Sequence, residues 1–289
     1  MIEKLYSDFD APITIRSAQT KTFFENEVDF SILKTNPEIK SYTRATEEII
    51  VIKHEDKWAN AKMYGVDSTF LKMSRMSAHM VDGFPALYEN NEPVSIIGAT
   101  LLDKLGGFIP QAFGRETVML YGPKRDMKMS VGKNPFQTQF ITVVGRLNFN
   151  REVNAESIVV PIELSQDLLG YGETEISALY VDLKEVKKKH QVKNDLQNKL
   201  GDQFVVKTND EKNELIFQTS KSERLIVIVI LVFIFILASF NLVASLTMLF
   251  VEKKEDIRIL KSMGANTKLI FRIFFYEGIL IAGKGILFG

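Results

Sequence analysis

The residue types that most often carry enzyme chemistry are scattered along this chain. The three histidines, His54, His79 and His190, lie far apart, and none has a partner at metal-ligand spacing. The adjacent carboxylates Glu47 and Glu48 fall on a predicted strand, where neighbouring side chains face opposite ways. There is no cysteine, so the chain has no disulfide framework and no thiol chemistry. These patterns predict that the chain is not itself an enzyme and holds no metal or other cofactor.

Two further patterns narrow the class of protein. The phosphate-binding pattern GxxxxGK[ST] and the nucleophile pattern GxSxG are both absent from the sequence. Lys plus Arg and Asp plus Glu both total 36, so the formal net charge is zero. A neutral chain does not attract nucleic acid by bulk electrostatics, and we expect no nucleic-acid partner.

A short charged stretch has the spacing of a docking helix. Seven of the ten residues that begin at Glu252 are charged. Gly264 stands where a helix ends, and Asn266 or Thr267 can cap the next helix. One narrow face of this predicted helix is apolar, because apolar residues recur at three-residue spacing. These residues are Ile257, Leu260 and Met263. A partner's groove could accept that face, and a solvated loop helix is the open alternative.

A second unusual stretch is the loop between two predicted strands, Glu116–Tyr121 and Thr138–Asn148. Hairpin loops usually have about two to five residues, and longer ones are often functional. Residues 122–135 carry four basic residues and are rich in proline, glycine and methionine. The residues of interest are Pro123, Met127, Met129, Gly132 and Pro135. The residues alone leave a recognition loop and a plain solvated loop both open.

The location of both stretches relative to a membrane depends on the most apolar segment of the chain. Leu225–Val251 contains no charged residue, no proline and no glycine. At about 1.5 Å per residue, a helix of this length crosses a hydrocarbon core of about 30 Å. A buried helix of a soluble domain would normally show a polar face, which this stretch lacks. We therefore predict a transmembrane helix, with the preceding chain on one side of the membrane and the charged loop on the other.

The chain is therefore expected to have four parts. Residues 1–223 form a globular domain, 224–251 a membrane span, 252–267 a short helix and turn, and 268–289 the start of a second membrane helix. The last part carries three charges. Arg272 and Lys284 can reach the two interfaces, whereas Glu277 requires a partner or a polar cavity.

The globular part is predicted to be an α+β domain. Apolar runs bounded by turn residues predict strands, and runs at helical spacing predict helices. The predicted strands are 12–15, 46–54, 58–64, 94–97, 116–121, 138–148, 157–161, 175–182 and 204–207. The predicted helices are 29–34, 68–73, 99–105, 162–169, 183–200 and 210–223, the last leading into the span. Two βαβ-like halves, roughly 12–110 and 111–208, remain an open possibility.

The segment FNLVASLTMLFVEKKEDIRILKSMGA at 240–265 resembles the permease subunits of lipoprotein-releasing ABC transporters, the LolC/LolE type within the FtsX/MacB superfamily. The family phrase is F-N-[IL]-x-[SA]-[ST]-L-x-M-x-V, an acid- and base-rich turn, and then D-I-[AR]-[IVL]-L-[RK]-x-[ML]-G-A. The residues that match include Phe240, Asn241 and Ser245 in the span, and Asp256, Ile257, Leu260, Lys261, Met263 and Gly264 after it. Gly278 and Gly283 also resemble the family's third membrane helix, whereas Lys284 departs from it. Upstream, YGVD at 64–67, Ile97-Gly98 and Val144-Gly145 resemble the superfamily's extracytoplasmic core.

The resemblance implies a fold, a mechanism and partners. It implies a MacB-like periplasmic core followed by transmembrane helices in a multi-pass protein of the cell inner membrane. It implies that the helix at 252–263 couples to an ABC ATPase on a separate subunit, by a mechanotransmission mechanism. Further implied partners are a second permease copy or homologue, a lipoprotein cargo, membrane lipid and a periplasmic carrier protein. The loop from Pro123 to Pro135 falls where one permease of the pair carries a proline-bounded hook for that carrier.

The resemblance also implies a first membrane helix before residue 1 and a fourth helix after 289, so we expect the chain to be truncated at both ends. The missing first helix would export the globular domain, since no signal peptide is visible at the start. Positive residues in the short loop, among them Lys253, Lys254 and Arg258, also favour a cytoplasmic location for residues 252–267. Two other functions stay open: a FtsX-like membrane regulator of a cell-wall hydrolase, and a MacB-like efflux permease.

Overall fold

The computed structural model describes residues 9–109, 116–125, 136–212 and 214–288. The chain divides between residues 213 and 214 into two compact units. We call residues 9–212 the globular unit and residues 214–288 the helical unit. The globular unit is an α+β domain, as predicted, and the helical unit contains only helices.

Thirteen strands are described in the globular unit, and most are short. They are β1 Ile13–Ser17, β2 Phe23–Phe24, β3 Ile39–His54, β4 Lys57–Val66, β5 Met80–Gly83, β6 Tyr88–Glu89, β7 Glu92–Gly98, β8 Glu116–Pro123, β9 Phe136–Leu147, β10 Ser157–Pro161, β11 Glu175–Ile176, β12 Ala178–Leu183 and β13 Phe204–Thr208.

Helices connect the strands of the globular unit and then form the whole helical unit. Those of the globular unit are α1 Phe30–Thr35, α2 Ser68–Met73, α3 Ala99–Leu105, α4 Arg151–Glu156, α5 Ile162–Leu169, α6 Lys189–Leu200 and α7 Asn209–Lys212. Those of the helical unit are α8 Glu214–Glu252, α9 Lys254–Ser262 and α10 Thr267–Phe288. Single 3-10 turns occur at Glu25–Glu27, Met76–His79 and Val186–Lys188.

Six strands of the main sheet close into a ring. The pairings run from β3 to β4, β10, β7, β9 and β8, and β8 pairs back to β3. A closed ring leaves these six strands without a free edge between them. The long strand β3 belongs both to the ring and to the rest of the sheet. Its first half pairs with β12, and its second half pairs with β4 and β8.

The ring encloses one hydrophobic core, and the sheet extends from it into a second one. Ile52, Met63 and Val118 are fully buried in the ring core, together with Leu102 of α3 and Leu168 of α5. The extension consists of β12, β1 and β13, and one of its faces is covered by α6. The opposite face of the extension carries polar side chains, which the sites below use.

Several local predictions are confirmed. The bounds of α2, α3, α5 and β10 agree with those predicted from the sequence. Gly106 and Gly170 end α3 and α5 with positive φ angles of 73° and 67°, as helix-ending glycines do. The Asp29 side chain accepts a hydrogen bond from the Ser31 backbone, which caps α1 one residue later than the predicted start.

Other local predictions are wrong, each for an identifiable reason. The strand predicted at 46–54 begins earlier, at Ile39, because the more polar residues 39–45 pair with β12. The strand predicted at 175–182 is two strands, since Ile176 pairs with β2 whereas Ala178 pairs with β3. The helix predicted at 183–200 begins only at Lys189. The two-halves reading is also wrong, because β10 and β12 of the second half pair directly with β4 and β3 of the first.

The helical unit is built from three helices in succession. Its first helix, α8, has 39 residues, of which Ile226–Glu252 are the one segment long and apolar enough to cross a membrane among the described residues. The following α9 has nine residues and α10 has 22. The predicted second membrane segment is thus helical, although α10 does not meet the same standard of length and apolarity.

Candidate functional site

The candidate coupling site is α9, and its charges suit a short independent helix. Glu255 and Asp256 lie in its first turn and Lys261 in its last turn. Acidic residues at the amino end and basic residues at the carboxyl end both stabilise the helix dipole. Lys253 Nζ also lies 3.1 Å from Asp256 Oδ2. These contacts keep nine residues helical between two apolar helices.

The apolar face of α9 is largely uncovered within this chain. Leu260 is 38% exposed and Met263 is 80% exposed, whereas Ile257 is half-buried. Ile259, which is 59% exposed, also belongs to the apolar face and makes it wider. Three-residue spacing does not predict Ile259, because that spacing selects a narrow stripe, whereas an apolar helix face is often about 100° wide.

Gly264 ends α9 in the conformation expected from its position. Its φ angle is 93°, which an L residue with a side chain rarely adopts. The Gly264 N–H donates to the Lys261 carbonyl at 3.1 Å, and the Ala265 N–H donates to the Leu260 carbonyl at 3.0 Å. This pair of bonds is the Schellman arrangement that closes a helix. Leu260 and Lys261 are thus held by the backbone of the turn that follows them.

The turn leads directly into α10, which packs against α8. The Asn266 side chain accepts a hydrogen bond from the Leu269 N–H at 2.9 Å, so Asn266 caps α10. A Cβ atom on Gly278 would meet Leu246 of α8 at 3.7 Å, which is ordinary van der Waals contact. An open apolar groove of about 480 Å³ separates the two helices. It is lined by Val243, Leu246, Thr247 and Phe250 of α8 and by Thr267, Ile270, Phe271 and Phe275 of α10.

The candidate span residues Phe240, Asn241 and Ser245 all lie in the second half of α8 and are exposed within this chain. Two neighbouring hydroxyls are satisfied inside the helix. Ser239 donates to the Phe235 carbonyl at 2.8 Å, and Thr247 donates to the Val243 carbonyl at 2.7 Å. Such internal bonds are what polar groups require in a hydrocarbon environment.

The candidate carrier loop falls mostly outside the described residues, including Met127, Met129, Gly132 and Pro135. Pro123 is described and exposed, and it ends β8 opposite Phe136 of β9. Beside it, Arg125 hydrogen-bonds Glu175 and donates to Thr22 Oγ1 at 3.2 Å. Its guanidinium also lies 5.5 Å from the centre of the Tyr171 ring. The start of the loop is therefore tied to the body of the domain.

The Glu175 carboxylate that binds Arg125 has a lowered pKa. Burial opposes ionisation of Glu175, but hydrogen bonds from Thr22 and Arg125 outweigh it and lower the pKa of Glu175 below its ordinary value. The anion is therefore stable at neutral pH. It could not be predicted from the sequence, because Thr22, Arg125 and Glu175 come from three distant segments.

Aromatic side chains of the hairpin that carries this loop form a strip together with Trp58 of β4. We define it as Trp58, Tyr121, Phe136 and Phe140. The ring centres of Trp58 and Tyr121 lie 5.0 Å apart, and those of Tyr121 and Phe136 lie 6.5 Å apart. Phe140, four residues beyond Phe136 on the same side of β9, is 67% exposed. Aromatic residues are enriched at interaction surfaces, and three of these four rings, those of Trp58, Phe136 and Phe140, are exposed.

A buried charge network joins the two ends of the globular unit. Lys212, the last residue of α7, lies 2.9 Å from Asp10 and 3.4 Å from Glu47. Glu47 also pairs with Arg16 and lies 3.2 Å from Lys62. Burial acts to raise the pKa of Glu47, but the three cations outweigh it and hold the pKa well below its ordinary range.

This network is structural and offers no metal site. Glu47 accepts a hydrogen bond from the Tyr180 hydroxyl in addition to its cation contacts, so its oxygens are already occupied. Within the described ranges, no group of three His, Asp or Glu side chains is placed to hold a metal ion.

Comparison with known protein families finds a match in the carboxyl-terminal part of the chain. Residues 228–289 match the family described as FtsX-like permease C-terminal. The chain carries an FtsX-like permease region. This FtsX-like region contains nearly all of the apolar segment Ile226–Glu252, the whole of α9 with its exposed apolar face, the Gly264 turn and all of α10.

The chain is also similar to permease subunits of lipoprotein-releasing systems. It is 26% identical over 159 residues to "Lipoprotein-releasing system transmembrane protein LolC" of Buchnera aphidicola subsp. Schizaphis graminum, covering 54% of this chain and 39% of that protein. It is 22% identical over 297 residues to LolE of Haemophilus influenzae, covering 92% of this chain and 69% of LolE. The LolC matches thus span about two fifths of those relatives or less.

Among solved structures, similar chains are extracellular and periplasmic domains of transporters. The extracellular domain of the ABC-type transporter YknZ from Gram-positive bacteria gives a TM-score of 0.46 at 14% identity, covering 68% of this chain and 99% of that domain. The periplasmic region of MacB from Actinobacillus actinomycetemcomitans gives 0.46 at 13% identity, covering 71% and 91%. Both scores lie below 0.5, and the fold described above stands on the strand pairings alone.

Proposed function

We propose that this chain is a permease subunit of an ABC transporter that extracts lipoproteins from the inner membrane and passes them to a periplasmic carrier. The observation that carries the proposal is the uncovered apolar face of α9 inside an FtsX-like region. Support comes from the lipoprotein-releasing systems to which the LolC and LolE relatives belong by name. In this proposal ATP is hydrolysed on a separate subunit, and the chain itself is not an enzyme.

The proposal gives each unit a place. The globular unit is the MacB-like periplasmic domain, α8 and α10 both cross the inner membrane, and residues 252–267 lie in the cytoplasm. Motion of α9 driven by the ATPase passes along α8 to the globular unit. A helix of nine residues is only about 14 Å long, too short to span a bilayer, so its apolar face needs a protein partner. Asp256 and Lys261 flank that contact, and membrane lipid or the second permease occupies the groove between α8 and α10.

Leu260→Asp tests the coupling role most directly. A carboxylate forced into an apolar contact without a partner costs several kcal/mol, which weakens binding by orders of magnitude. We expect the ATPase to be lost from the purified complex while the permease still inserts, because the span ends at Glu252. Co-purification and cargo-stimulated ATP hydrolysis measure the two effects.

Ser262→Asp is the matched control, since it adds the same charge to the opposite side of α9. It should leave the ATPase bound. A Leu260→Asp complex that retains its ATPase and still releases lipoprotein would show that α9 is only a solvated loop helix. A wild-type complex that binds the ATPase but moves no lipoprotein would favour the FtsX-like regulator of a cell-wall hydrolase.

The carrier contact is proposed for the loop after β8, with Pro123, Met127, Met129, Gly132 and Pro135 as its residues. Methionine is apolar and adaptable, which suits a recognition tip. Two observations support an interaction here: Arg125 holds the start of the loop, and the aromatic strip continues the apolar surface along the same hairpin.

A double variant, Met127→Asp with Met129→Asp, should abolish carrier capture in a pull-down with the complete transporter. Lys187→Asp, an exposed change on another part of the domain, serves as the control and should capture the carrier normally. If the double variant captures the carrier normally, the loop is a plain solvated loop and not a carrier-binding site.

The membrane topology has its own test. The chain has no cysteine, so single cysteines at Lys187 and Lys254 can be labelled selectively in intact cells that express the complete transporter. An impermeant thiol reagent should reach the cysteine at 187 and not the one at 254. The reverse pattern would overturn the assignment.

A further inference from the structure

A cavity on the polar face of the sheet extension is lined by cations and hydroxyls. Its volume is about 360 Å³, and its lining residues are Thr14, Arg16, Ser17, Val205, Lys207 and Lys212. No acidic side chain is among them. Liquid water occupies about 30 Å³ per molecule, so the cavity has room for a small organic ligand rather than a single ion.

The strand register explains why these groups converge. Thr14 of β1 lies opposite Lys207 of β13, and Arg16 lies opposite Val205, so all four side chains stand on one face of the sheet. Lys212 follows β13 on the short helix α7 and reaches back over the same face. The residues between them on β1 and β13 point to the opposite face and are buried in the hydrophobic core.

Charge in this cavity exceeds what the protein neutralises. Arg16 and Lys212 share Glu47, and Lys212 also contacts Asp10. Lys207 is exposed and makes no ion pair among the residues that the structure describes. Thr14 adds an independent sign: it is 3% exposed, and its Oγ1 has no hydrogen-bond partner within the described chain. Buried hydroxyls are normally satisfied, so an orphaned one at a cationic cavity points to a missing acceptor.

We propose that this cavity binds a phosphate-bearing anion, held by Arg16, Lys207 and Lys212, with the Thr14 hydroxyl as a fourth donor. Guanidinium and ammonium groups form strong charge-assisted hydrogen bonds to phosphate oxygens. The volume favours a phosphate attached to an organic group such as a glycerol, which a phospholipid headgroup or a soluble metabolite could supply. The inference uses only the globular unit and does not depend on the proposed transport function.

The test is calorimetric titration of the purified full chain in detergent at constant ionic strength. The probes are inorganic phosphate, glycerol 1-phosphate and dihexanoyl phosphatidylglycerol, with sodium chloride and dihexanoylglycerol as phosphate-free matches. Lys207→Gln should weaken binding about tenfold, the loss expected for one charged hydrogen bond. Lys187→Gln, an exposed lysine outside the cavity, should leave the affinity unchanged.

Thr14→Val separates a ligand site from a mere packing defect. If the hydroxyl donates to the anion, this nearly isosteric change weakens binding and raises the melting temperature of the free protein. Binding of glycerol 1-phosphate or inorganic phosphate identifies a soluble source, and binding of the lipid alone identifies a headgroup. No binding beyond the phosphate-free matches, or equal binding by wild type, Lys207→Gln and Thr14→Val, would overturn the proposal.

Discussion

The globular unit and the helical unit satisfy their side chains in opposite ways. Ile52, Met63 and Leu102 of the globular unit have no exposed surface, and its buried Glu47 is surrounded by cations. In the helical unit, large apolar side chains such as Phe235 and Met248 are exposed along residues 226–251 of α8, the part whose side chains are described. The first unit buries most of its large apolar side chains within this chain, whereas the second leaves most of its described apolar side chains uncovered.

The difference shows where function resides in each unit. In the helical unit, the uncovered apolar side chains are the feature from which we propose lipid contacts for α8 and a protein contact for α9. In the globular unit, most large apolar side chains are buried in the core, so exposed aromatic groups and unpaired charges are informative. The aromatic strip and the cationic cavity are two such features. Changes that damage the core of one unit should therefore leave the other unit's contacts measurable.

The largest effect is expected from Glu47→Gln, which leaves the mostly buried Lys212 beside a neutral side chain and removes the carboxylate that Arg16 and Lys62 share. Breaking a buried ionic network by removing one partner costs about 3–5 kcal/mol. Urea unfolding in detergent, followed by fluorescence of the single tryptophan, Trp58 on β4, reports this unit alone. Glu185→Gln breaks only an exposed pair with Lys188 and should cost less than about 0.5 kcal/mol. Equal losses in the two variants would show that the network does not stabilise the domain.

Acid should reproduce part of this loss in the wild type. The folded pKa of Glu47 lies below its ordinary unfolded value of about 4.3. Its stabilisation is therefore complete above that pH and is lost as the pH falls toward the folded pKa. The free energy of unfolding should decline below about pH 4.3 more steeply in the wild type than in Glu47→Gln. Parallel curves for the two proteins would contradict the assignment.

The next effect is expected at Gly98, where β7 meets α3. A Cβ atom there would lie 2.3 Å from the Asn154 carbonyl oxygen of α4, which is too close for any real contact. Gly98→Ala must push the backbone of α4 away, and overpacking of this kind costs about 1–3 kcal/mol. The same Trp58 unfolding measurement detects the loss. ATPase binding by the helical unit should be unchanged at temperatures where the domain remains folded.

The helical unit was easier to predict from the sequence than the globular unit. The α8 span, the α9 helix and the Gly264 turn were predictable, because composition and three- or four-residue spacing are local signals. Within the globular unit, α3 and α5 were predictable for the same reason, since glycine ends both. The ring of strands was not, because β3 joins it through pairings with β8 that are about 70 residues away in the chain.

The sites divide in the same way. The apolar residues of α9 were predicted from spacing, apart from Ile259. The aromatic strip, the Arg125 contacts and the cationic cavity were not, since their members come from strands that meet only in the fold. Thr14 and Lys207, for example, are brought together by an antiparallel pairing across nearly the whole domain. A single sequence carries no local sign of such a pairing.

The smallest effect on stability, and the most specific effect on function, is expected at Gly264. Its φ angle is 93°, and an added Cβ atom would have nothing within 4 Å, so the cost of a side chain is conformational and not steric. For an L residue in this region the cost is about 1–2 kcal/mol, and a β-branched residue is strained most. Gly264→Val should therefore open the Schellman turn and tilt α9 without removing Leu260 or Met263 from its apolar face. We expect the ATPase to remain bound while cargo no longer stimulates ATP hydrolysis, the opposite of the Leu260→Asp result. Gly283→Val in α10 is the matched control, because Gly283 is helical and is not among the glycines with positive φ.

Two outcomes would contradict this prediction for Gly264→Val. Loss of ATPase binding would show that the turn forms part of the docking surface itself. Normal coupling would show that the orientation of α9 does not transmit the signal.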